Sequence, residues 1–310
     1  MSVPLPIDVS LLRKRFDRAA PTYADAAVVQ REVGNRLLER FDIMRIAPWV
    51  VLDVGAGPGT HTAALAERFP DARVLAIDQS PAMVARAVPL APKQGWFARL
   101  TASGGKTRHT NQGKTRGLVA DMNALPLPRD HADVLWSNFA LQWANDLPAL
   151  FAEWNRVLKV GGVMMFTAPG PDTLIELRRA ISRDETVADR YVQKFTDLHD
   201  IGDMLVHAGF ADPVMDMEVI TLEYATTEAL WRDVKAQGAN NAMQSRSRGL
   251  MTPRKLRAIE VALDTGRRDG GPIRISVEVI YGHAWKVAPK KTPEGHGIVR
   301  LEAIGRGPRG

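Results

Sequence analysis

The sequence contains no cysteine. Disulfide bonds, a thiolate nucleophile and a cysteine-ligated metal are therefore excluded, and we expect no metal site. The chain also has no apolar run near the ~20 residues that a membrane-spanning helix needs. Its first ten residues lack the charged and then apolar pattern of a secretory signal. A cytoplasmic protein without a membrane partner is the simplest interpretation.

The positive net charge, +6 in total, comes from two segments. Residues 92–117 carry six Lys and Arg and no acid, and residues 286–310 carry six against two acids, which leaves −4 on the rest. Both segments are polar and aperiodic. We interpret residues 92–117 as a basic loop insert and 289–310 as a disordered tail. Contact with RNA or an acidic protein is an alternative, but a solvated loop is more usual, and we expect no nucleic-acid partner.

Glycine is concentrated in one turn, after an apolar stretch that predicts a strand over residues 50–54. The acid in this strand and the turn that follows comprise Asp53, Gly55, Ala56, Gly57 and Gly59. Glycine lets a ligand approach the backbone because it has no Cβ and tolerates positive φ. A dinucleotide-binding turn would need glycine at position 60, which is threonine.

The spacing of these glycines after an aspartate resembles the first motif of class I S-adenosylmethionine (SAM) methyltransferases. In that family the turn holds the amino-acid part of SAM, so the resemblance implies that these five residues bind this cofactor. A purely structural glycine turn is the alternative.

Further candidate cofactor residues follow the next predicted strands, over residues 73–77, 117–120 and 132–138. They are Asp78 and Gln79, then Asp121 and Met122, then Asn138. An acid about 20 residues beyond the glycines is placed to accept both hydroxyls of a ribose. The resemblance further implies that Asp121 meets the adenine amino group. The alternatives are a helix cap at Asp78, before Ser80, and turn chemistry at Asp121.

Strands alternate with helical stretches, which predicts an α/β fold with a doubly wound, mostly parallel sheet. The strand–insertion–strand ending fits the antiparallel hairpin that closes the seven-stranded sheet of class I methyltransferases. We expect one domain over residues 1–288. Two helices within residues 9–42, one over residues 9–18 and one over residues 22–41, would form a lid over the cofactor. A helical insertion over residues 227–263, before the last strand, would cover the substrate.

Four segments resemble a particular methyltransferase family, BioC, the malonyl-[acyl-carrier-protein] O-methyltransferases of biotin synthesis. They are residues 15–23 with Gln30, residues 137–143, residues 172–178 and residues 197–203. The resemblance runs from about residue 10 to about residue 286, without the basic insert and the tail. It implies methyl transfer from SAM to the free carboxylate of a malonyl thioester, held by acyl carrier protein or coenzyme A.

Such a reaction needs no general base, because a carboxylic acid of reference pKa near 4 is ionised at neutral pH. It needs a cation to hold the carboxylate, and Arg fits a planar two-oxygen group best. We assign this role to Arg178, with Tyr23 donating a hydrogen bond and Gln142 and Trp143 lining the pocket. The alternatives are a solvated helix face for Arg178, an ordinary helix position for Tyr23 and a core position for Trp143.

A second resemblance keeps another function open. Residues 176–178, 221–224 and 238–241 are also similar to BioC-like assembly factors of respiratory complex I, which are thought to modify an arginine of a partner protein. The opening from Phe16 to Gln30 favours the ester-forming family.

Overall fold

A computed structural model describes residues 6–88, 115–236, 241–247, 249, 251–267 and 270–288. Within them, seven strands form one sheet in the order β3-β2-β1-β4-β5-β7-β6. The strands are β1 (Val50–Val54), β2 (Arg73–Asp78), β3 (Thr115–Val119), β4 (Ala132–Asn138), β5 (Leu158–Pro169), β6 (Phe210–Tyr224) and β7 (Ile273–Lys286). The first five pair in parallel, and β7 pairs antiparallel with β5 and β6. The predicted doubly wound, mostly parallel sheet is confirmed.

Helices cover both faces of this sheet. Those described are α1 (Val9–Ala19), α2 (Tyr23–Ala26), α3 (Val28–Glu39), α4 (Thr60–Arg68), α5 (Pro81–Ala87), α6 (Leu147–Val157), α7 (Ile175–Ile181), α8 (Glu185–Ala188), α9 (Leu198–His207), α10 (Thr227–Ala236) and α11 (Pro253–Thr265). None of these helices combines the length and the apolar composition that a membrane span needs.

The core has one layer on each face of the sheet. All five residues of β1 are buried, as expected for a central parallel strand with helices on both sides. On one face, α6 and α9 pack through residues such as Trp154 and Leu205. On the other, α3 and α4 pack through Val33 and Leu65. These layers fix the carboxyl ends of β1, β2 and β4 beside one another.

Two smaller clusters lie outside this core. The helices of the insertion, α10 and α11, pack with α7 and the start of β7 through Leu230, Ile259 and Leu177. Near the N-terminus, Leu12 of α1 packs against residues 242–243 of the segment between α10 and α11. An isolated bridge between Ile7 and Met243 joins the same two segments.

Two predicted boundaries are wrong. Strand β3 begins at Thr115, inside the predicted loop insert, because residues 115–119 pair in register with residues 74–78 of β2. The helix predicted over residues 22–41 is divided at Ala27, whose ψ of 51° is not helical, and it ends in a 3-10 turn at Arg40–Ile43. The rest of the predicted insert, residues 92–114, and the tail over residues 289–310 lie outside the described residues.

Candidate functional site

The glycine turn after β1 opens onto a pocket at the carboxyl ends of the parallel strands. Gly55 and Gly57 have φ values of +77° and +55°, which favour glycine because a Cβ would clash with the backbone. A Cβ at Gly55 would also lie 2.4 Å from the Ala140 Cβ. The Gly55 and Ala56 N–H groups both donate to the Ile77 carbonyl oxygen, at 2.8 and 3.0 Å. The turn is therefore fixed against the end of β2.

Asp78 ends β2 and supports the same turn. Its Oδ2 accepts a hydrogen bond from the Gly57 N–H at 2.9 Å, and its Oδ1 accepts one from the Ser80 N–H at 2.8 Å. Burial raises the pKa of this carboxyl from its ordinary value, while these two hydrogen bonds oppose the shift. Ser80, rather than Asp78, caps α5, because its Oγ accepts from the Met83 N–H.

Asp53 is buried beneath the turn, with 2% of its surface exposed. The Thr62 hydroxyl donates to its Oδ2 at 2.5 Å. Burial raises the pKa of Asp53 to about 7, and the neighbouring Asp78 contributes in the same direction. Asp53 thus changes charge near neutral pH in this structure.

Asn138 at the end of β4 connects the sheet with the N-terminal helices. Its Nδ2 donates to the Gln30 carbonyl oxygen of α3 at 2.8 Å, and its Oδ1 accepts from the Thr167 hydroxyl at 2.7 Å. This pair of contacts fixes the amide at the pocket and holds α3 against the strand ends.

Three aromatic side chains form one wall of the pocket. The Phe16 ring lies edge-on to Tyr23, with centroids 6.1 Å apart, and edge-on to Trp143 at 5.6 Å. Burial, with a smaller effect of the Asp78 charge, raises the pKa of Tyr23 to about 12. The Tyr23 phenol therefore stays protonated at neutral pH, and its hydroxyl can donate a hydrogen bond.

Most of the residues predicted from the sequence surround this pocket and the adjoining cleft over the turn. They are Tyr23, Asp53, Gly55, Ala56, Gly57, Asp78, Gln79, Asp121, Met122, Asn138 and Trp143. Sequence reasoning missed the apolar lining from Val9, Phe16, Ile77, Met83 and Phe139. Phe16 belongs to the motif that precedes Tyr23, but that motif does not show which of its side chains reaches the pocket.

Asp121 lies at the pocket in a local turn. Its Oδ1 accepts from the Asn123 N–H at 2.9 Å and from the Asn123 side-chain amide at 2.7 Å. The turn considered as an alternative for Asp121 is therefore present. Asp121 also lines the pocket, so the turn fixes its carboxylate there.

The structure places three of the predicted site residues outside the lining of this pocket. Arg178 lines a different cavity, where its buried guanidinium forms an ion pair with Asp189 and donates to the Val192 carbonyl oxygen at 3.1 Å. Gln142 donates to the Phe139 carbonyl oxygen at 2.8 Å and is not among the lining residues. Gly59 is the N-cap of α4 and packs against Ala87, so it shapes the turn without lining the pocket.

The cavity beside Arg178 is larger, at about 930 Å³, but it lies between α7 and α11. The glycine turn and the strand-end carboxylates of Asp78 and Asp121 do not line it. It is therefore not the candidate cofactor site.

The chemistry of the pocket fits a nucleoside. Each oxygen of a carboxylate has two lone pairs, so Asp78 retains acceptor capacity for ribose hydroxyls beside its two backbone bonds. Ile77, Met83 and Phe139 supply apolar surface for a base, and Asp121 supplies an acceptor at the rim. The sheet order and this pocket define the class as a SAM-dependent methyltransferase of the class I fold.

Comparison with known proteins agrees with this class. The family model described as "Methyltransferase domain" matches residues 52–166. The chain is 45% identical over 299 residues to a malonyl-[acyl-carrier protein] O-methyltransferase of Nitrosospira multiformis, covering 96% of each chain. It is 44% identical to the Laribacter hongkongensis protein of the same name, covering 95% of this chain and 96% of that one. The YcgJ protein of Bacillus subtilis shares the fold, with a TM-score of 0.54 at 17% identity over 82% of this chain and all of that one.

The chain belongs to the malonyl-[acyl-carrier protein] O-methyltransferase family. It is a SAM-dependent O-methyltransferase, as the resemblance implied. Neither relative named above is a respiratory assembly factor.

Proposed function

We propose that the chain transfers the methyl group of SAM to the free carboxylate of a malonyl thioester carried by acyl carrier protein. The product would be the malonyl methyl ester that primes pimeloyl synthesis for biotin. The near full-length identity to relatives that bear this name carries the proposal. The pocket supports it, because it combines a nucleoside site with a neutral hydrogen-bond donor and an aromatic wall.

The residues at the pocket suit a reaction without a general base. When bound, SAM supplies an electrophilic methyl group on a sulfonium. A malonyl carboxylate is ionised at neutral pH, so no side chain has to remove a proton from it. Tyr23, whose pKa is raised to about 12, donates a hydrogen bond that orients the carboxylate. We keep Tyr23 as the proposed positioning group and no longer assign Arg178 to the substrate.

Catalysis then depends on orientation and on excluding water. Well-oriented reacting groups remove roughly 7–11 kcal/mol of a bimolecular barrier. Phe16 and Trp143 cover the pocket on the side of α1, and Asn138 holds α3 beside it. We propose that α1, α2 and α3 act as the lid. Residues 242–243 of the insertion support α1 through their contacts with Leu12.

Methyl transfer from labelled SAM tests this function directly. The purified chain is incubated with malonyl-carrier protein, and with acetyl-carrier protein as the control that lacks a free carboxylate. A base-labile methyl ester on the malonyl form alone is the expected result. Transfer to other carboxylic acids but never to malonyl thioesters would remove the substrate assignment. Complementation of a strain that cannot start pimelate synthesis then tests the role in cells.

A further inference from the structure

The cleft over the glycine turn is a small space beside the cofactor pocket, with a volume of about 50 Å³. Cleft and pocket share four lining residues, Tyr23, Gly55, Gly57 and Asn138, so the two spaces adjoin along the turn. A cavity of about 10–15 Å³ holds one water. The cleft therefore holds roughly three to five groups of the size of water. It is too small for a second nucleoside, but it fits the end of a chain.

Arg31 of α3 brings a positive charge to this cleft. It is the only residue with a permanent positive charge among the described residues that line the cleft. Its Nη1 donates to the Ala24 carbonyl oxygen at 3.2 Å, and Ala24 lines the same cleft. This bond places the guanidinium at the cleft rather than out in solvent.

The backbone of α3 is fixed beside the turn by His61, the second residue of α4. A Cβ at Gly34 of α3 would lie 2.1 Å from His61 Cε1, so the close packing of the two helices needs glycine there. Burial lowers the pKa of His61, and a hydrogen bond with the Arg31 backbone opposes this shift only in part. His61 is therefore neutral at neutral pH, and Arg31 supplies the positive charge of the cleft.

The chemistry of the methyl donor identifies a group for this cleft. SAM ends in an amino acid, which carries a carboxylate and an ammonium at neutral pH. Arg31 matches the carboxylate, because a guanidinium pairs with two carboxylate oxygens through parallel N–H donors. Asp53 lines the same cleft, and a carboxylate is an acceptor for an ammonium. A cleft with one cation and one acid thus fits both charges of this end.

The malonyl carboxylate of the proposed function fits the cleft less well. Phe16 and Trp143, which form the aromatic wall, line the pocket but not the cleft. A malonyl group in the cleft would bring a second carboxylate beside Asp53 and no ammonium to pair with it. The observations therefore favour the carboxylate of the cofactor as the partner of Arg31.

We propose that Arg31 is a cofactor-binding residue that pairs with the carboxylate at the amino-acid end of SAM. The inference rests on the cofactor and not on the malonyl substrate of the proposed function. It makes the carboxylate a requirement for tight binding, so adenosyl compounds that lack this group are poor ligands. It also gives α3, a part of the proposed lid, a direct contact with the cofactor.

Two sulfonium compounds that differ only in the carboxylate test this contact. SAM and decarboxylated SAM are titrated by calorimetry into the wild type and into Arg31→Gln. The wild type is expected to bind SAM about tenfold or more tightly than the decarboxylated compound, as for a charged hydrogen bond. In Arg31→Gln the affinity for SAM falls by a similar factor, and the affinity for the decarboxylated compound does not fall. Arg45→Gln, at an exposed position outside the cleft lining, is the control for loss of one charge and is expected to bind both compounds as the wild type does.

Two results of these titrations would overturn the proposal. Equal affinity of the wild type for both compounds would show that the carboxylate makes no favourable contact, and this comparison needs no variant. Equal losses of affinity for both compounds in Arg31→Gln would show that Arg31 acts only on the lid, through its bond to Ala24.

Methyl-transfer kinetics separate this proposal from the proposed function. With malonyl-carrier protein as the acceptor, Arg31→Gln is expected to raise the KM for SAM far more than it changes kcat or the KM for the acceptor. A raised KM for the acceptor with unchanged SAM affinity would assign Arg31 to the substrate carboxylate and would overturn the proposal. Failure of the wild type to methylate any malonyl thioester would overturn the proposed function instead, and the calorimetric result for Arg31 would stand.

Discussion

Gly57 and Asp78 form one structural unit, because the Gly57 N–H donates to Asp78 Oδ2 at 2.9 Å. The glycine motif after β1 and the acid at the end of β2 are separate signals in the sequence. In the folded chain, the carboxylate of Asp78 fixes the turn and lines the pocket. A change at either residue is therefore expected to affect cofactor binding through the turn, and a change at Asp78 also through the ribose contact that we propose for it.

Replacing Asp78 with asparagine is expected to weaken SAM binding at least about tenfold, because a charged acceptor is lost at the ribose position and at the turn. Calorimetric titration with SAM measures the change. Asp203→Asn, at an exposed position on α9, is the matched control and is expected to bind SAM as the wild type does. A dissociation constant for Asp78→Asn within twofold of the wild type would contradict the ribose role.

Replacing Gly57 with alanine tests the role of the glycine turn in SAM binding. Alanine at a φ of +55° costs on the order of 1–2 kcal/mol in backbone strain. Its Cβ would also point toward the Tyr23 ring, at 3.8 Å from Cε1. Gly161→Ala is the control, since Gly161 has a φ of +84° and no atom within 4 Å of a built Cβ. Thermal unfolding is expected to show similar losses in both variants, whereas SAM affinity falls only in Gly57→Ala.

Removing the Tyr23 hydroxyl separates orientation from cofactor binding. Tyr23→Phe keeps the ring against Phe16 and deletes the donor that we propose for the malonyl carboxylate. We expect kcat/KM for the malonyl thioester to fall about tenfold while SAM affinity changes little. Tyr224→Phe, which removes a hydroxyl bonded to Asp233 at 2.6 Å, is the matched control. Equal activity of Tyr23→Phe and wild type would remove this role.

The raised pKa of Asp53 makes stability depend on pH in a defined direction. The unfolded carboxyl titrates near 3.8 and the folded one near 7, so the native state binds more protons between these values. The contribution of Asp53 to the free energy of unfolding therefore decreases as the pH rises from about 4 to about 7.

Asp53→Asn is expected to become more stable relative to the wild type over the same pH range, by roughly 4 kcal/mol in total. Urea denaturation of both proteins without SAM, at intervals from pH 4 to pH 8, measures this difference. A difference in stability that does not vary with pH would show that Asp53 has an ordinary pKa.

The positions of the strand ends could be predicted from the sequence, because each apolar run is followed within a few residues by glycines or polar side chains. Asp78, Asn138 and the glycine turn meet for that reason, since parallel strands end at one edge of the sheet. The mostly parallel, doubly wound sheet with its antiparallel end was predicted from the same alternation together with the family resemblance.

Contacts between distant segments were not predictable in this way. Arg178 and Arg179 are adjacent, and the sequence does not show which of them turns inward to meet Asp189. Arg15 and Arg246 line one cavity although they lie far apart in the sequence, because α1 packs on residues 242–243.

The bridge between Ile7 and Met243 has a consequence for how the protein matures. A chain still emerging from the ribosome already contains the glycine turn and Asp78, yet the segment that anchors α1 is made more than 230 positions after Ile7. Until that segment arrives, Leu12 of α1 lacks its apolar contacts with residues 242–243. Nascent polypeptides that stop short of residue 241 also lack β7, which pairs with β5 and β6, so catalytic activity should appear only late in synthesis.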